Sequence, residues 1–497
     1  MAGRRGQHRR RSAELTWGTT TVRLTSLNLK RLGWLAVVAA CWAGVGRAAG
    51  VADVWEGQPY RIQARLAIDA PGDLAEQLAA ELPTYLNDRV NTSIGIVWRL
   101  NTELASGPLR HQLLRGVDSF TAEDVADAAP DEDKRLLLSV RATPWGYELA
   151  AREYDRYVER WGATIRRTTR QRDALAEQLF DIAWQAVAPL AHVRADANDP
   201  QQVVFDLRGA DLPPSGPDFA WTKPGDLFQP ILRRTTRDGL LLPNGAAEIP
   251  WTYLEVMEAP TGATQPVGRI RSATQRPLGV RRGRVEQVAI GLRNDPGNLT
   301  LELQSRVDQD KPLVGYEVFA QNVDEKPMRP VGVSDAAGEV SVSPGKSAVQ
   351  MVFVKSGGVF LARLPVVPGA AARVAVPLPD DDMRLRVASR LAAFREDMID
   401  LVARRNIFMA RVRQEIEEKN FDSARVLLES LDELPGQTQF NLTLDRESQR
   451  LRTKDLQVQR RIDQLFAQTR TALGKFLDPQ PISELHEELR QAQQQGS

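Results

Sequence analysis

Cysteine is almost absent: the 497 residues contain one, Cys41, and none follows it. No disulfide can form within the chain, and no thiol beyond residue 41 can serve as a nucleophile or soft metal ligand. Histidine is nearly as scarce. No two of the four, His8, His111, His192 and His486, stand at a metal-ligand spacing, which removes the usual zinc patterns. A Gly-x-Ser-x-Gly elbow, a P-loop and a dinucleotide fingerprint are also missing. Serine, thiol and nucleotide mechanisms have no foothold, so no catalytic residue, metal or cofactor is assigned.

A surplus of positive charge is missing as well, once its location is considered. The formal charge is +1, yet Arg4, Arg5, Arg9, Arg10, Arg11, Arg23, Lys30 and Arg31 all precede residue 32, against the single acid Glu14. Residues 51–497 hold 56 basic and 63 acidic side chains, a charge of −7. A protein that neutralises phosphates needs a concentrated basic surface, so nucleic acid is excluded as a partner. The remaining balance, 42% hydrophobic and 26% charged, is that of folded domains, and the length allows about three or four of them.

Residues 1–50 read as an export signal. A basic n-region, 1–31, leads into an apolar run, 32–46, and Ala48, Ala49 and Gly50 offer a cleavage site. Two other readings stay open. Residues 32–52 could remain as a membrane anchor, although the run is short of the ~20 residues a spanning helix needs. Val38-Ala39-Ala40-Cys41 resembles a bacterial lipobox, which implies lipidation at Cys41, although the Trp-Ala-Gly-Val-Gly that follows stays apolar. Each reading places residues 55–497 outside the cytoplasm, in the periplasm or cell envelope. A disulfide-free exported chain must be held by burial alone, at ~25 cal/mol per Å², which suits a bacterial envelope.

Residues 55–195 alternate strand and helix patterns. Tyr60, Ile62, Ala64, Leu66 and Ile68 repeat every second residue, the pattern of a half-buried strand. After Pro71-Gly72, Asp73 is a candidate N-cap for a helix carrying Leu74, Leu78, Leu82, Tyr85 and Leu86, which Pro83 should kink or interrupt. Strands are expected over 93–100, 134–142, 147–154 and 160–168, with Thr143-Pro144-Trp145-Gly146 as a turn. Leu175, Leu179, Ile182, Ala183, Ala186 and Val187 form the apolar face of a closing helix. This pattern predicts an antiparallel or mixed sheet covered on one face by helices. The stretch GYELAAREYDRYVERWG and the helix after it resemble the small α/β domains of the Tol-system propeller protein and of outer-membrane activators of penicillin-binding proteins. That resemblance implies a protein-binding domain without enzymatic activity.

Helical spacing disappears over 196–299. Short apolar runs at 203–205, 231–232, 240–242, 253–256, 267–270 and 285–292 are separated by Pro and Gly, which predicts a small all-β barrel or sandwich with Pro213-Pro214-Ser215-Gly216-Pro217 as a loop. Arg269, Arg271, Arg276, Arg281, Arg282 and Arg284 crowd one part of it. They are either exposed edge charges that discourage sheet-to-sheet pairing or an anion or polysaccharide site.

Seven strand-like segments between 300 and 379 have the spacing of an immunoglobulin-like β-sandwich. Ser334-Asp335-Ala336-Ala337-Gly338 before Glu339-Val340-Ser341-Val342 resembles the turn of carboxypeptidase-regulatory-like and transthyretin-like domains, with Ser334 where that family usually has Thr. The resemblance implies a spacer or adhesion module. Over 382–478 the period becomes helical: Val387, Leu391, Phe394, Met398, Leu401, Phe408 and Val412 make one seam, interrupted by Arg405. Val458, Ile462, Leu465, Thr469, Leu473 and Phe476 make another. Asn420 to Leu431 resembles the second helix of a tetratricopeptide-like hairpin, stopped by Pro435-Gly436. An antiparallel three-helix bundle with a frayed polar tail, 479–497, is the simplest structure, and a coiled-coil dimer is the alternative, so homo-oligomerisation stays open.

The expected fold is thus a multidomain α+β chain. Two acidic groups merit chemical reading. Glu153 and Asp155 share one strand face, where they are either a solvent-facing pair matched by Arg152 and Arg156 or the carboxylates of a glycosidase. Asp380-Asp381-Asp382 either caps the following helix or binds calcium. The leading function is a non-catalytic cell-envelope binding or scaffold protein, with an envelope protein or polysaccharide as partner and membrane association through the N-terminal segment. The rival is a carboxylate-dependent hydrolase of cell-wall or extracellular glycan. Ile249-Pro-Trp-Thr-Tyr-Leu and Ala362-Arg-Leu-Pro-Val-Val-Pro-Gly, with the order of modules, resemble multidomain exported proteins of planctomycete-type bacteria, a likeness that implies no activity.

Overall fold

Alternation in the first strand sets up the first layer. The computed structural model describes residues 55–125, 132–196, 198–212, 219–258, 265–279, 283–293, 297–323 and 325–496. The leader with Cys41, the Pro213–Pro217 loop and the pair Arg281, Arg282 lie outside the described residues. The α/β region comprises β1 (Tyr60–Asp69), α1 (Gly72–Ser93), β2 (Trp98–Leu104), α2 (Gly107–Arg115), β3 (Lys134–Thr143), β4 (Gly146–Asp155), β5 (Arg160–Trp161), β6 (Ile165–Thr169) and α3 (Leu175–Ala186). The sheet order is β2-β1-β3-β4-β5, with β6 also on β4. β1 runs parallel to β2 and β3, whereas β3–β4 and β4–β6 are antiparallel, so the sheet is mixed.

Tyr60, Ile62, Ala64 and Leu66 bury against Leu78, Leu82, Leu86 and Val90 of α1 and Leu175, Leu179 and Ile182 of α3. The opposite face is covered too. Leu113 of α2 seals Ala67, Leu137 and Ala150, so helices lie on both faces and not on one as expected. Pro83 does not interrupt α1, because the buried stripe on either side of it holds the helix to the sheet despite one lost backbone bond. Asp73 sits inside the first turn, and Pro71 at the N-cap makes no side-chain cap bond. The strand expected from residue 93 starts at Trp98, since Val90 and Ser93 continue the helical stripe and a 3-10 turn, Gly95–Val97, intervenes.

The barrel begins earlier than its expected start at 196. Its strands are β7 (Leu190–Ala195), β8 (Gln202–Leu207), β9 (Leu227–Thr235), β10 (Leu241–Glu248), β11 (Thr252–Glu258), β12 (Val267–Ser272) and β13 (Val285–Leu292). Six of them close a ring, β9-β11-β12-β8-β7-β13 and back to β9, with β10 attached outside it on β9. β7 therefore belongs to the barrel, and Pro189 marks the change of region. Phe205 and Phe228 meet inside at 5.0 Å. Gly268 is needed there, because a Cβ would come within 2.6 Å of both the Phe205 ring and the Glu255 carbonyl.

The next module has β14 (Leu299–Ser305), β15 (Glu317–Asn322), β16 (Arg329–Val333), β17 (Glu339–Val342), β18 (Gln350–Ser356), β19 (Val359–Val366) and β20 (Arg373–Leu378). They form a three-stranded sheet, β17-β14-β20, and a four-stranded sheet, β16-β15-β18-β19, around a core that includes Leu301, Val318, Val342, Val352 and Val376. β20 joins β14 in parallel. In the Asp335 turn the carboxylate accepts from the amides of Ala337 and Glu339, at 2.9 and 2.8 Å. Gly338 has φ +76°, and a Cβ there would meet the Leu303 carbonyl at 2.4 Å. Ser334 is buried: its hydroxyl donates to the Leu313 carbonyl and accepts from the Tyr316 amide.

Helices α4 (Asp382–Glu417), α5 (Phe421–Asp432), α6 (Gln437–Arg450), α7 (Leu456–Phe476) and α8 (Gln480–Gly496) complete the chain. From residue 382 on, the described residues thus hold five helices in place of the expected three. The expected frayed tail is α8, and its Leu485 and Leu489 bury against Leu428 and Leu431. In α7 Phe466 is buried in the seam and Leu465 packs against it half-buried, while Phe476 is exposed. Among the described residues no helix is long and apolar enough to cross a membrane.

The three aspartates before α4 join the helices to the β module. Asp380 and Asp382 both contact the Lys311 ammonium. Asp381 is buried, takes Arg384 at 2.6 to 2.9 Å, and its amide donates to the Tyr316 hydroxyl at 2.8 Å. The Asp381 side chain makes no cap bond to the helix, but Asp380 accepts from the Asp382 amide at 3.2 Å, so the acids bond the helix start as expected and also clamp it to the β module. Arg306 holds Asp455 at the start of α7, and the same carboxylate caps that helix by accepting from the amides of Gln457 and Val458.

Candidate functional site

Two clusters of charge stand out, one open and one sealed. The open one is a cleft of about 580 Å³ where the barrel meets the β module. Arg269 and Arg271 are two apart on β12, so strand alternation sends both to one face. Across the cleft stand Lys326, which follows β15, and Arg363 of β19. Arg269, Lys326 and Arg363 are exposed and have no ion-pair partner among the described residues. Arg271 is tied to Glu255 through Nε at 2.8 Å and Nη2 at 2.7 Å. Arg363 also lies 5.8 Å from the centre of the Phe353 ring.

Glu325 is the acid in the lining, and it is already engaged. Asn322 donates to it at 2.8 Å and Lys346 pairs with it at 3.1 Å, which holds its carboxyl below the usual range, Asn322 contributing more. The field in the cleft is therefore positive. Thr274, Ser272 and Gln321 supply neutral donors and acceptors. This lining can take an extended anionic chain in several contacts at once. Among the described residues its lining holds no carboxylate pair and no nucleophile beside a base.

The structure divides the arginine cluster expected from the sequence. Arg269 and Arg271 reach the cleft, whereas Arg284 does not. The Arg284 carbonyl accepts from Thr235 at the end of β9, while Glu255, the register partner of Arg269, pairs with Leu227 at the start of β9. The eight residue steps between them span ~26 Å. Sequence proximity grouped these arginines, and the turn between β12 and β13 separated them. Lys326 and Arg363 were missed because they come from another module, and no local pattern links them to β12.

The sealed cluster corrects a second expectation. Glu153 and Asp155 share one face of β4, as alternation requires, but that face points inward and both are 0% exposed. Lys134 of β3, also 0% exposed, lies between them: its Nζ is 3.0 Å from Glu153 and 2.5 Å from Asp155. The Ala188 amide donates to Glu153 at 2.9 Å and the Val158 amide to Asp155 at 3.1 Å. Above the ammonium lies the Tyr60 ring, at 5.5 Å, and its hydroxyl accepts from the Leu190 amide at 2.8 Å.

Burial pushes the Lys134 ammonium toward losing its proton, but Asp155 and then Glu153 reverse this and its pKa is raised. Burial pushes Glu153 up to about 7, against the attraction of Lys134. Burial also raises Tyr60, to about 12. With no opening to solvent, these carboxylates cannot reach a glycan, and the glycosidase reading loses the pair on which it rested. Arg152 and Arg156 are not their partners. The sequence did carry a signal for Lys134. In a hairpin turning at Thr143 and Gly146, Lys134 must face Asp155, and a lysine heading the inward series Leu136, Leu138 and Val140 requires a buried counter-charge.

Comparison with known proteins adds little. No family model and no curated protein matches the chain. Among solved structures, TolB from Acinetobacter baumannii is similar over 65% of this chain and 96% of that one, at 12% identity and a TM-score of 0.18, too low to support any inference about fold or function.

Proposed function

We propose that this chain is a non-catalytic exported protein of the cell envelope, and that its barrel and β module together bind an anionic polysaccharide. The single observation that carries this reading is the cleft, where Arg269, Arg271, Lys326 and Arg363 converge from two modules around one engaged acid. The α/β region acts as a protein-binding domain. Residues 300–379 are an immunoglobulin-like, regulatory-type spacer. The five helices, clamped to that spacer through Asp381 and Asp455, dock to another envelope component or to a second copy.

Polygalacturonate, with uncharged dextran as control, tests the cleft in calorimetric titrations of the full chain. Binding to polygalacturonate is expected to weaken as salt rises, since exposed charge pairs are screened within ~8 Å at physiological ionic strength. The triple variant Arg269→Ala/Lys326→Ala/Arg363→Ala should lower affinity by roughly tenfold or more at an unchanged melting temperature, because each lost charge-assisted contact costs about 1 kcal/mol or more. Arg284→Ala should bind as the parent does. Equal binding by parent and triple variant overturns the reading.

A further inference from the structure

A second hollow, which shares no lining residue with the cleft, gathers polar groups with few partners. Seven tryptophans fall among the described residues, and six of them, Trp55, Trp98, Trp161, Trp184, Trp221 and Trp251, are buried or half-buried. Trp145 is 83% exposed. It sits at the turn of the β3–β4 hairpin, where an indole has no core to fill and its apolar faces cost solvation free energy.

The turn that carries it is fixed in place. The Thr143 hydroxyl donates to the Gly146 carbonyl at 3.0 Å and accepts from the Trp145 amide at 3.3 Å. Gly146, at φ +137°, lies so close to the end of β6 that a Cβ would meet the Thr169 carbonyl at 2.3 Å and the Arg170 Cα at 3.0 Å. Backbone packing therefore places Arg170 next to Trp145. Antiparallel register then sets Tyr147 opposite Thr169 and Glu148 opposite Thr168.

These residues line a hollow of about 330 Å³ beside the indole. Arg170 and Thr168 make no side-chain hydrogen bond or ion pair among the described residues, and the nearest cation to Glu148, Arg141, is 4.0 Å away. The hollow thus combines an exposed aromatic face with a free fork of donors, a hydroxyl and a carboxylate acceptor.

We propose that this hairpin tip binds an uncharged pyranose ring, stacked through its C–H face on Trp145, with its hydroxyls bonded by Glu148, Thr168 and Arg170. A sugar ring has one apolar face and a rim of hydroxyls that both donate and accept, and this hollow offers the complement of each. The balanced Glu148 and Arg170 charges favour a neutral ring over an anionic one, so the site differs in chemistry from the cleft and stands independently of it.

Chitotriose, cellotriose and maltotriose, titrated separately into the full chain, test the proposal by calorimetry and tryptophan emission. At least one should bind with a Kd below about 10 mM and shift the emission to the blue. Trp145→Ala should abolish both signals without changing the melting temperature, while Trp145→Tyr keeps binding within about fivefold because it retains a stacking face. Arg170→Ala should weaken binding roughly tenfold. The cleft variant Arg269→Ala/Lys326→Ala/Arg363→Ala should bind the same sugar as the parent does. Failure of all three sugars to bind the parent, or equal binding by Trp145→Ala, overturns the proposal and leaves the cleft reading untouched. Trp145-dependent sedimentation with phosphatidylcholine vesicles in the absence of sugar binding also overturns it.

Discussion

Lys134 and Lys326 carry the same group into opposite surroundings. Lys134 is 0% exposed, paired with two carboxylates and covered by Tyr60, so its charge is spent inside the fold. Lys326 is exposed in a cleft where the acid beside it, Glu325, is held by Asn322 and Lys346. The difference separates charges that hold the protein together from charges that remain available to a ligand. Residue type and charge count cannot make that separation, but solvent access and engagement of the counter-charge do.

The largest effect expected is the loss of the buried cation. Lys134→Met strands Glu153 and Asp155 in the interior and should destabilise the protein by about 3–5 kcal/mol, whereas Lys326→Met should stay within about 0.5 kcal/mol. Urea unfolding measures both, and equal costs would break the comparison. The triple variant Lys134→Met/Glu153→Gln/Asp155→Asn should recover about 2 kcal/mol or more of the Lys134→Met loss, because it removes the stranded charges and keeps acceptors for the amides of Ala188 and Val158.

A smaller effect sharpens the contrast through pH. The folded pKa of Glu153, about 7, lies above its ordinary value of 4.5. Between those values the folded chain holds a proton that the unfolded chain has released, so this group's contribution to stability falls as pH rises through the window. Relative to Glu153→Gln, the parent should lose up to about 1.4 kcal/mol per pH unit across it. Denaturation midpoints at pH 5 and pH 7.5 read the difference, and parallel curves for the two proteins would show that Glu153 stays ionised throughout.

Much of the fold was legible because local period reports which face is buried. The alternation of Tyr60, Ile62, Ala64 and Leu66, the apolar stripe of α3, the strands of the β module and the Asp335 turn all follow from residues close in sequence. Errors arose where neighbours overrode a local preference: Pro83 inside a helix held by its buried stripe, Ser93 ending that stripe ahead of a 3-10 turn, and α8 docking through Leu485. The candidate cleft was half legible. Arg269 and Arg271 were visible as a strand pair, while Lys326 and Arg363 joined them only when two modules met.

The sequence by itself determined the order of regions, the inward faces of strands and helices, and the lack of any cysteine after residue 41, because these depend on residue type and on repeats of two or 3.6 residues. Tertiary structure alone decided that β7 belongs to the barrel, that Glu153 and Asp155 face Lys134 and not water, and that Arg284 is parted from Arg269. Charge has no period. Its role depends on which groups approach from distant parts of the chain and on whether water reaches them, and both are settled only by packing.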